Sequence, residues 1–530
     1  MRASARLTSA VFCVAVKSNN LNNLKGDLIM RFRRIAALTV ILSVLASFAA
    51  CSAGTDGGKD GTAPVTEAPD DWSDPDSFNA IYRERDDKVP RMDLGGREIH
   101  ILSLKNKDYT GHMYDDEVSV KELRSEPIND AIYNRNAYVM DYLNCRITNE
   151  IYGYETVFSM LEKSHAADED LYQILGFEAA PSLSHAFEGY FINLMDMDES
   201  YLELDAPWWN RNFIDEVGSD DFLCNLAGSI SLSMIRSIYV TYFNKKIAED
   251  EGIGDLYRVV NDGKWTIDYQ NELVSGMWRD LDGDSERSAD DRYGYATCFY
   301  WTVDAYWAAF DIDLLAKDTD GAFYFNLNEE KLYNSIEKIF TLSWDNTGCY
   351  GKSMNSEKLD NMFASGGAFM MSEKIGCAET AVLRNMQDDY GIIPMPKYDE
   401  KQKEYRSMPF EIFQTFAIPV TCTDPAPVTA VLELMSAENW RKTIPIYSEV
   451  ALKGKYLSDM DSRRMFDLIT DNVFVEAGLM YYVNLDDLPA HVMRYPIERH
   501  DKDSCASTLT SKKRMVNFFI KALNERLNLG

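Results

Sequence analysis

Short apolar runs alternate with amphipathic helical patterns along most of this chain. That alternation restricts it to an α/β architecture, with helices layered over sheets. Glu98-Ile99-His100-Ile101-Leu102 predicts a first strand near Arg97. Ile128, Ala131, Ile132, Tyr138, Val139, Tyr142 and Leu143 fall at helical spacing and predict a helix over 127–144. A strand is expected over 171–177, with a turn at Gly176-Phe177-Glu178-Ala179-Ala180-Pro181. Leu332, Ile336, Ile339 and Phe340 stripe another helix, capped by Asn328 and favoured by Glu329 and Glu330 at its positive end. Asp424 is expected to cap a further helix, with Pro425 in the first turn and Val428, Val431, Leu432 and Met435 on its buried face.

The N-terminal region carries a different signal. Arg31, Arg33 and Arg34 precede an uncharged apolar run over 35–46, then Ser47-Phe48-Ala49-Ala50 and Cys51. A basic start, a short apolar core and small residues at the exit describe a secretory signal too short to span a bilayer. With the cysteine directly after the small residues, 30–50 resembles a bacterial lipoprotein signal, and the resemblance implies a lipid on Cys51. Lys25-Gly26-Asp27 can be encoded by a purine-rich run like a ribosome-binding site, so Met30 is the expected start and 1–29 an upstream extension. Residues 52–71 are rich in Gly, Thr, Ala, Asp and Pro, and 51–96 is expected to be a flexible tether.

The 530 residues carry a net charge of −31. The first fifty hold seven Lys or Arg and one Asp, so the chain beyond them carries −37. Nucleic acid and anionic lipid both demand cationic surface, so neither is expected as a partner. Beyond Cys13 and Cys51 there are seven cysteines, odd in number and never spaced CxxC. That is neither a disulfide framework nor a zinc site, and buried small hydrophobes are expected instead.

Several landmarks then occur in a particular order. Tyr242-Phe243-Asn244-Lys245-Lys246 comes first, followed by Asp262-Gly263-Lys264-Trp265-Thr266. Phe363-Ala364-Ser365-Gly366-Gly367-Ala368-Phe369-Met370-Met371 precedes Tyr390-Gly391-Ile392-Ile393-Pro394-Met395-Pro396-Lys397 and Phe416-Ala417-Ile418-Pro419. Glu449-Val450-Ala451-Leu452-Lys453-Gly454-Lys455-Tyr456 completes the set. Over about 97–480 the chain resembles the family 1 extracellular solute-binding proteins of ABC transporters, the maltose-binding-like group, in its Gram-positive lipoprotein form. The resemblance implies a two-lobed periplasmic-binding-protein-like fold (type II) with a hinge and a ligand cleft between the lobes. Lobe one is expected over 97–237 and 369–414, and lobe two over 238–368 and 415–530. It also implies a monomer, lipid-anchored outside the cytoplasmic membrane, that takes a carbohydrate to ABC permease subunits and needs no cofactor.

Sugars present flat apolar faces edged by hydroxyls, so a sugar site needs aromatic rings and a polar fringe. Phe299-Tyr300-Trp301 resembles an aromatic segment lining the family's sugar cleft, and Trp208-Trp209-Asn210-Arg211 reads as an aromatic loop. Trp209, Tyr300 and Trp301 are the expected ligand rings, with Trp344 behind them. Glu178, in the turn after a strand, and Glu411, close to the third crossing, are the expected carboxylates. Packing in the core explains any one of these rings as well, and an exposed loop explains either carboxylate. Arg236 lies near the first crossing, where an ion pair across the hinge accounts for it equally well. Asp280, Asp282, Asp284, Glu286 and Asp291 form a run that resembles an EF-hand calcium loop, with Ser285 in place of the turn glycine. A structural calcium and a plain acidic loop are both open readings of it.

No HExxH, GxSxG or complete P-loop occurs, and the six histidines show no metal-ligand spacing. An enzyme is therefore not expected, although a glycoside hydrolase carboxylate pair leaves no sequence signature. A sugar-sensing or scaffolding lipoprotein of the same fold is the other alternative.

Overall fold

The computed structural model describes residues 87–105, 117–352, 356–451 and 460–527. The signal, Cys51 and the tether as far as residue 86 lie outside the described residues. In chain order the elements that build the site begin with β1 (Arg97–Leu104), α1 (Pro127–Leu143), β2 (Cys145–Tyr152), α2 (Tyr154–Ala167), β3 (Ile174–Glu178) and α3 (Ala179–Glu188). Then come β4 (Tyr239–Asn244), β5 (Tyr293–Cys298), a hairpin of β6 (Leu315–Lys317) and β7 (Phe323–Phe325), α4 (Glu329–Phe340) and β8 (Cys349–Lys352). The chain closes with β9 (Ala368–Lys374), β10 (Tyr390–Pro394), β11 (Gln414–Ala417), α5 (Ala426–Glu438), α6 (Met460–Asp471) and α7 (Ser504–Arg526).

Two main sheets result. The first has strand order β11-β3-β1-β2, parallel except for β11. The second has order β10-β4-β9-β5-β8, in which β5 runs parallel to both β8 and β9. Alternation along β4 buries the second sheet on both faces: Tyr239 and Phe243 join one core, and Val240 and Tyr242 another with Met371, Ile392 and Phe466.

Local chemistry explains most element ends. Asn144 closes α1 in the left-handed conformation at φ 45°, which asparagine tolerates. The Asn328 side chain accepts from the Lys331 N–H at the start of α4, as expected. Asp424 differs from expectation. Its carboxylate receives the Arg97 guanidinium at 2.7 Å, and α5 starts behind Pro425 with no side-chain cap. The predicted turn at 176–181 is not a turn either, because β3 passes directly into α3.

The lobe boundaries also need correction. β9 and β10 were expected with lobe one, yet both pair with β4 in the second sheet. Phe369, Met370 and Met371 are fully buried there, because β9 lies between β4 and β5 in the middle of that sheet. The chain rejoins the first sheet only at β11, and α5 then packs on α1. Between the sheets, the buried Arg236 holds Glu379 through two hydrogen bonds of 2.9 Å and also pairs with Glu117. All seven cysteines after Cys51 are buried and free. Among the described residues, no helix is long and apolar enough to cross a membrane.

Candidate functional site

Parallel strands leave a crevice at their carboxyl ends, and both sheets deliver side chains to one. β3 ends on Glu178. Immediately beyond β5 come Phe299, Tyr300 and Trp301. The crossing segment before β11 adds Phe410 and Glu411, and the C-terminal region adds Tyr482, Arg494 and Tyr495.

Arg494 organises the cluster. Its guanidinium donates to both oxygens of Asp304, with Nε to Oδ1 at 3.1 Å, and reaches Glu411 Oε1 at 3.4 Å. It also lies over the Tyr300 ring at 4.9 Å and the Trp301 ring at 5.8 Å. Tyr300 and Trp301 meet edge to face at 4.3 Å, and Trp301 meets Phe410 the same way at 5.2 Å. The Lys374 ammonium stands 5.5 Å from the Phe410 and Tyr239 rings.

Burial dominates the electrostatics here. It pushes the Glu411 carboxyl up to about 7; Arg494 pulls against that and Asp304 reinforces it. Asp304 is likewise raised by burial, opposed by Arg494. Burial works against the charge on Arg494, but Asp304 and Glu411 outweigh it and hold the guanidinium protonated. Tyr482 is raised first by burial and then by the negative charges of Glu411 and Glu178.

Two buried polar atoms around this cluster have no partner among the described residues: Glu411 Oε2 and the hydroxyl of Tyr239, whose ring meets Phe410. Such atoms cost stability unless something satisfies them. A carboxyl near pKa 7 can either accept from or donate to a hydroxyl group. Rings beside orphaned acceptors and donors therefore form a surface suited to a neutral, hydroxyl-rich molecule.

Similarity searches add to this geometry. No protein-family model matches the sequence, and no curated protein matches it. Among solved structures, the chain is similar to UspC of M. tuberculosis, with a TM-score of 0.51, 12% identity, and coverage of 79% of this chain and 100% of that one. It is also similar to an ABC substrate-binding protein from Listeria monocytogenes in complex with cycloalternan. That match has a TM-score of 0.50, 11% identity, and covers 80% of this chain and 99% of that one. This chain has the two-lobed solute-binding-protein fold. Its two sheets are the centres of the two α/β lobes.

Of the residues singled out from the sequence, Tyr300, Trp301 and Glu411 come together around Arg494, while Glu178 stands buried at the end of β3, in register with Gln414 of β11. Trp209 is placed elsewhere, whereas Trp344 stands behind the aromatic segment with its ring 4.9 Å from Phe299. Trp209 is 3% exposed and donates its indole N–H to Glu433 Oε2 at 2.8 Å, while Trp208 donates to Oε1 of the same carboxylate at 2.8 Å. Gly228 is required beneath the pair, because a Cβ there would lie 2.3 Å from the Trp208 carbonyl oxygen. Trp344 donates to the Ile497 carbonyl at 2.8 Å and is stacked on His500 at 4.3 Å.

In the acidic loop, Asp280, Asp282 and Asp284 bring carboxylate oxygens within 4.8 Å of one another. Asp291 is 1% exposed and is occupied by N–H donors from Trp278, Leu281 and Ser288. Glu286 is not part of the converging group.

Sequence reading missed Arg494, Asp304 and Tyr482. Asp304 sits inside the aromatic segment it serves and was findable there. Arg494 is 190 residues from Asp304 in a π-bulged turn, Ala490–Arg494, that no periodicity announces.

Proposed function

We propose that this chain is an extracytoplasmic solute-binding protein that captures a carbohydrate between its lobes and hands it to the permease of an ABC transporter. The anchor is a lipid on Cys51. The observation that carries the reading is the set of orphaned buried polar atoms beside Tyr300 and Trp301 at the carboxyl ends of the strands. In this reading Tyr300 and Trp301 cover the apolar face of a sugar ring. Glu411, Glu178 and Tyr239 exchange hydrogen bonds with its hydroxyls, and Arg494 holds the carboxylates in place. The rings follow β5 of the second sheet and Glu411 leads into β11 of the first, so a ligand held between them favours the closed state by touching both lobes. The fold similarity to an ABC substrate-binding protein solved with cycloalternan supports an oligosaccharide.

A thermal-shift panel of mono- and oligosaccharides tests this. A sugar at a hundredfold its Kd adds about 2.7 kcal/mol, a shift of a few degrees for a chain of this size. A shift with one sugar class, abolished in Trp301→Ala and unaccompanied by product formation, supports the reading. A silent panel overturns the carbohydrate assignment. Turnover of the bound sugar moves the assignment to a glycoside hydrolase, with the raised Glu411 carboxyl as the acid.

A further inference from the structure

A separate cavity of about 430 Å³ opens between segments belonging to the two lobes. It shares no lining residue with the Arg494 cluster. One wall is the 207–231 region, which is bridged to itself at Trp209 and Gly228 and to β11 at Leu226. The opposite wall is the C-terminal end of α6, which packs on β10 of the second sheet. Its volume is at the small end of the range of about 300–1,000 Å³ typical of small-ligand pockets.

The lining has a definite electrostatic character. Trp209 and Trp440 supply aromatic surface, and Met234 adds a polarisable thioether. Thr470 and Asp471 are the last residues of α6, a twelve-residue helix, so its negative dipole end meets the cavity where the Asp471 carboxylate stands. Asp471 is exposed, and among the described residues no ion pair reaches it. Among the described residues, no Lys, Arg or His lines the cavity. Behind the aromatic wall, Glu433 accepts both the Trp208 and Trp209 indole N–H bonds and fixes those rings in place. Among the described residues, the Asn210 amide nitrogen meets only the Met234 sulfur at 3.4 Å, a weak acceptor.

A carboxylate, a helix C-terminus and electron-rich indoles, with no cation among the described lining residues, make a surface that attracts positive charge. We propose that this cavity is a second ligand site, distinct from the carbohydrate cleft, and that it takes a small organic cation, a quaternary or protonated amine. The cation's apolar substituents lie against Trp209 and Trp440, and its charge faces Asp471. The site does not depend on the sugar reading, because it uses none of the same residues.

Calorimetric titration of the protein at low salt with choline, and with its neutral carbon isostere 3,3-dimethyl-1-butanol, tests the proposal. Saturable choline binding is expected, with the isostere at least about tenfold weaker. Asp471→Asn, an exposed substitution that leaves the fold intact, should weaken choline about tenfold, and raised salt should weaken it further. Trp440→Ala should weaken it comparably, while Trp301→Ala should leave it unchanged. Absence of saturable choline binding overturns the proposal. So does equal affinity for the neutral isostere, or choline binding that survives Asp471→Asn but is lost in Trp301→Ala.

Discussion

Two buried glutamates divide the aromatic residues of this molecule into two kinds. Glu411 and Glu433 are both pushed by burial up to about 7, and each stands beside a pair of adjacent aromatic residues. Glu433 has both oxygens engaged, by the Trp208 and Trp209 indoles at 2.8 Å and by the Glu203 backbone N–H at 3.2 Å. Glu411 shares one oxygen with Arg494 and leaves the other without a partner among the described residues. The first arrangement is complete within the chain, so its polar atoms need nothing from outside. The second is incomplete, so it is poised for something from outside. Adjacent rings in the sequence do not separate these roles; the destinations of the polar atoms do.

The largest effect that follows falls on Arg494. Replacing it by Met leaves Asp304 buried without its partner, and breaking a buried pair from one side costs about 3–5 kcal/mol. Urea unfolding of Arg494→Met should show that loss together with loss of sugar binding. Stability close to wild type would mean that the cluster is not organised around this residue.

Glu433→Ala comes next. It strands two buried indole N–H groups and should cost about 2–4 kcal/mol by chemical denaturation. Sugar affinity should hold in the folded fraction. A variant that keeps its stability but loses sugar binding would reverse the comparison and make Trp209 the ligand ring.

Trp301→Ala and Trp209→Ala sharpen the same contrast. Removing Trp301 should weaken sugar binding by roughly tenfold to a hundredfold with a smaller effect on melting, as expected of a partly exposed contact ring. Removing Trp209 should do the opposite, lowering the melting temperature with sugar affinity unchanged. Calorimetric titration beside a melting curve for each variant separates the two outcomes.

How far the sequence reaches is clear from these cases. The alternating architecture, the helices around Ile132 and Ile336 and the Asn328 cap were legible because apolar period and capping are local. Tyr300 and Trp301 stood out as a dense aromatic segment, and Glu411 as an acidic residue close to a crossing. Trp209 looked equally good, since its partner Glu433 lies 224 residues away and nothing local announces it. The strand order was misassigned at β9 for a related reason. A run such as Phe369-Met370-Met371 signals a buried strand without saying which sheet buries it.

The pH dependence follows from the carboxyls that burial raises. Glu216, Glu411, Glu433 and Glu476 are each pushed up to about 7 from an ordinary value of 4.5. Between those values the folded chain holds more protons than the unfolded one. Their contribution is therefore most favourable near pH 4.5 and declines as pH rises through 7. The melting temperature should rise by a few degrees from pH 8 to pH 5.5, and Glu433→Gln should flatten part of that slope. A melting temperature that falls over this interval would show that these carboxyls are ionised in the folded state without penalty.

The smallest effect is expected at the acidic loop, where the same criterion applies. Asp280 already accepts from the Gly283 and Ser285 N–H groups, Asp282 from Asp284, and Asp284 from Glu286. Asp291 is turned inward and occupied. These carboxylates resemble Glu433 more than Glu411, because the loop supplies their partners, yet three of them still converge and repel one another. Millimolar calcium bound there would relieve that repulsion, but a weak extracellular-type site at such concentrations is worth only about 1 kcal/mol. Melting with calcium against chelator should therefore differ by about one to two degrees, and Asp282→Asn should remove the difference. A much larger shift would mean that the loop reorganises around the ion and releases its backbone partners. Satisfaction within the free chain would then be a poorer guide to ligand sites than the contrast between Glu411 and Glu433 implies.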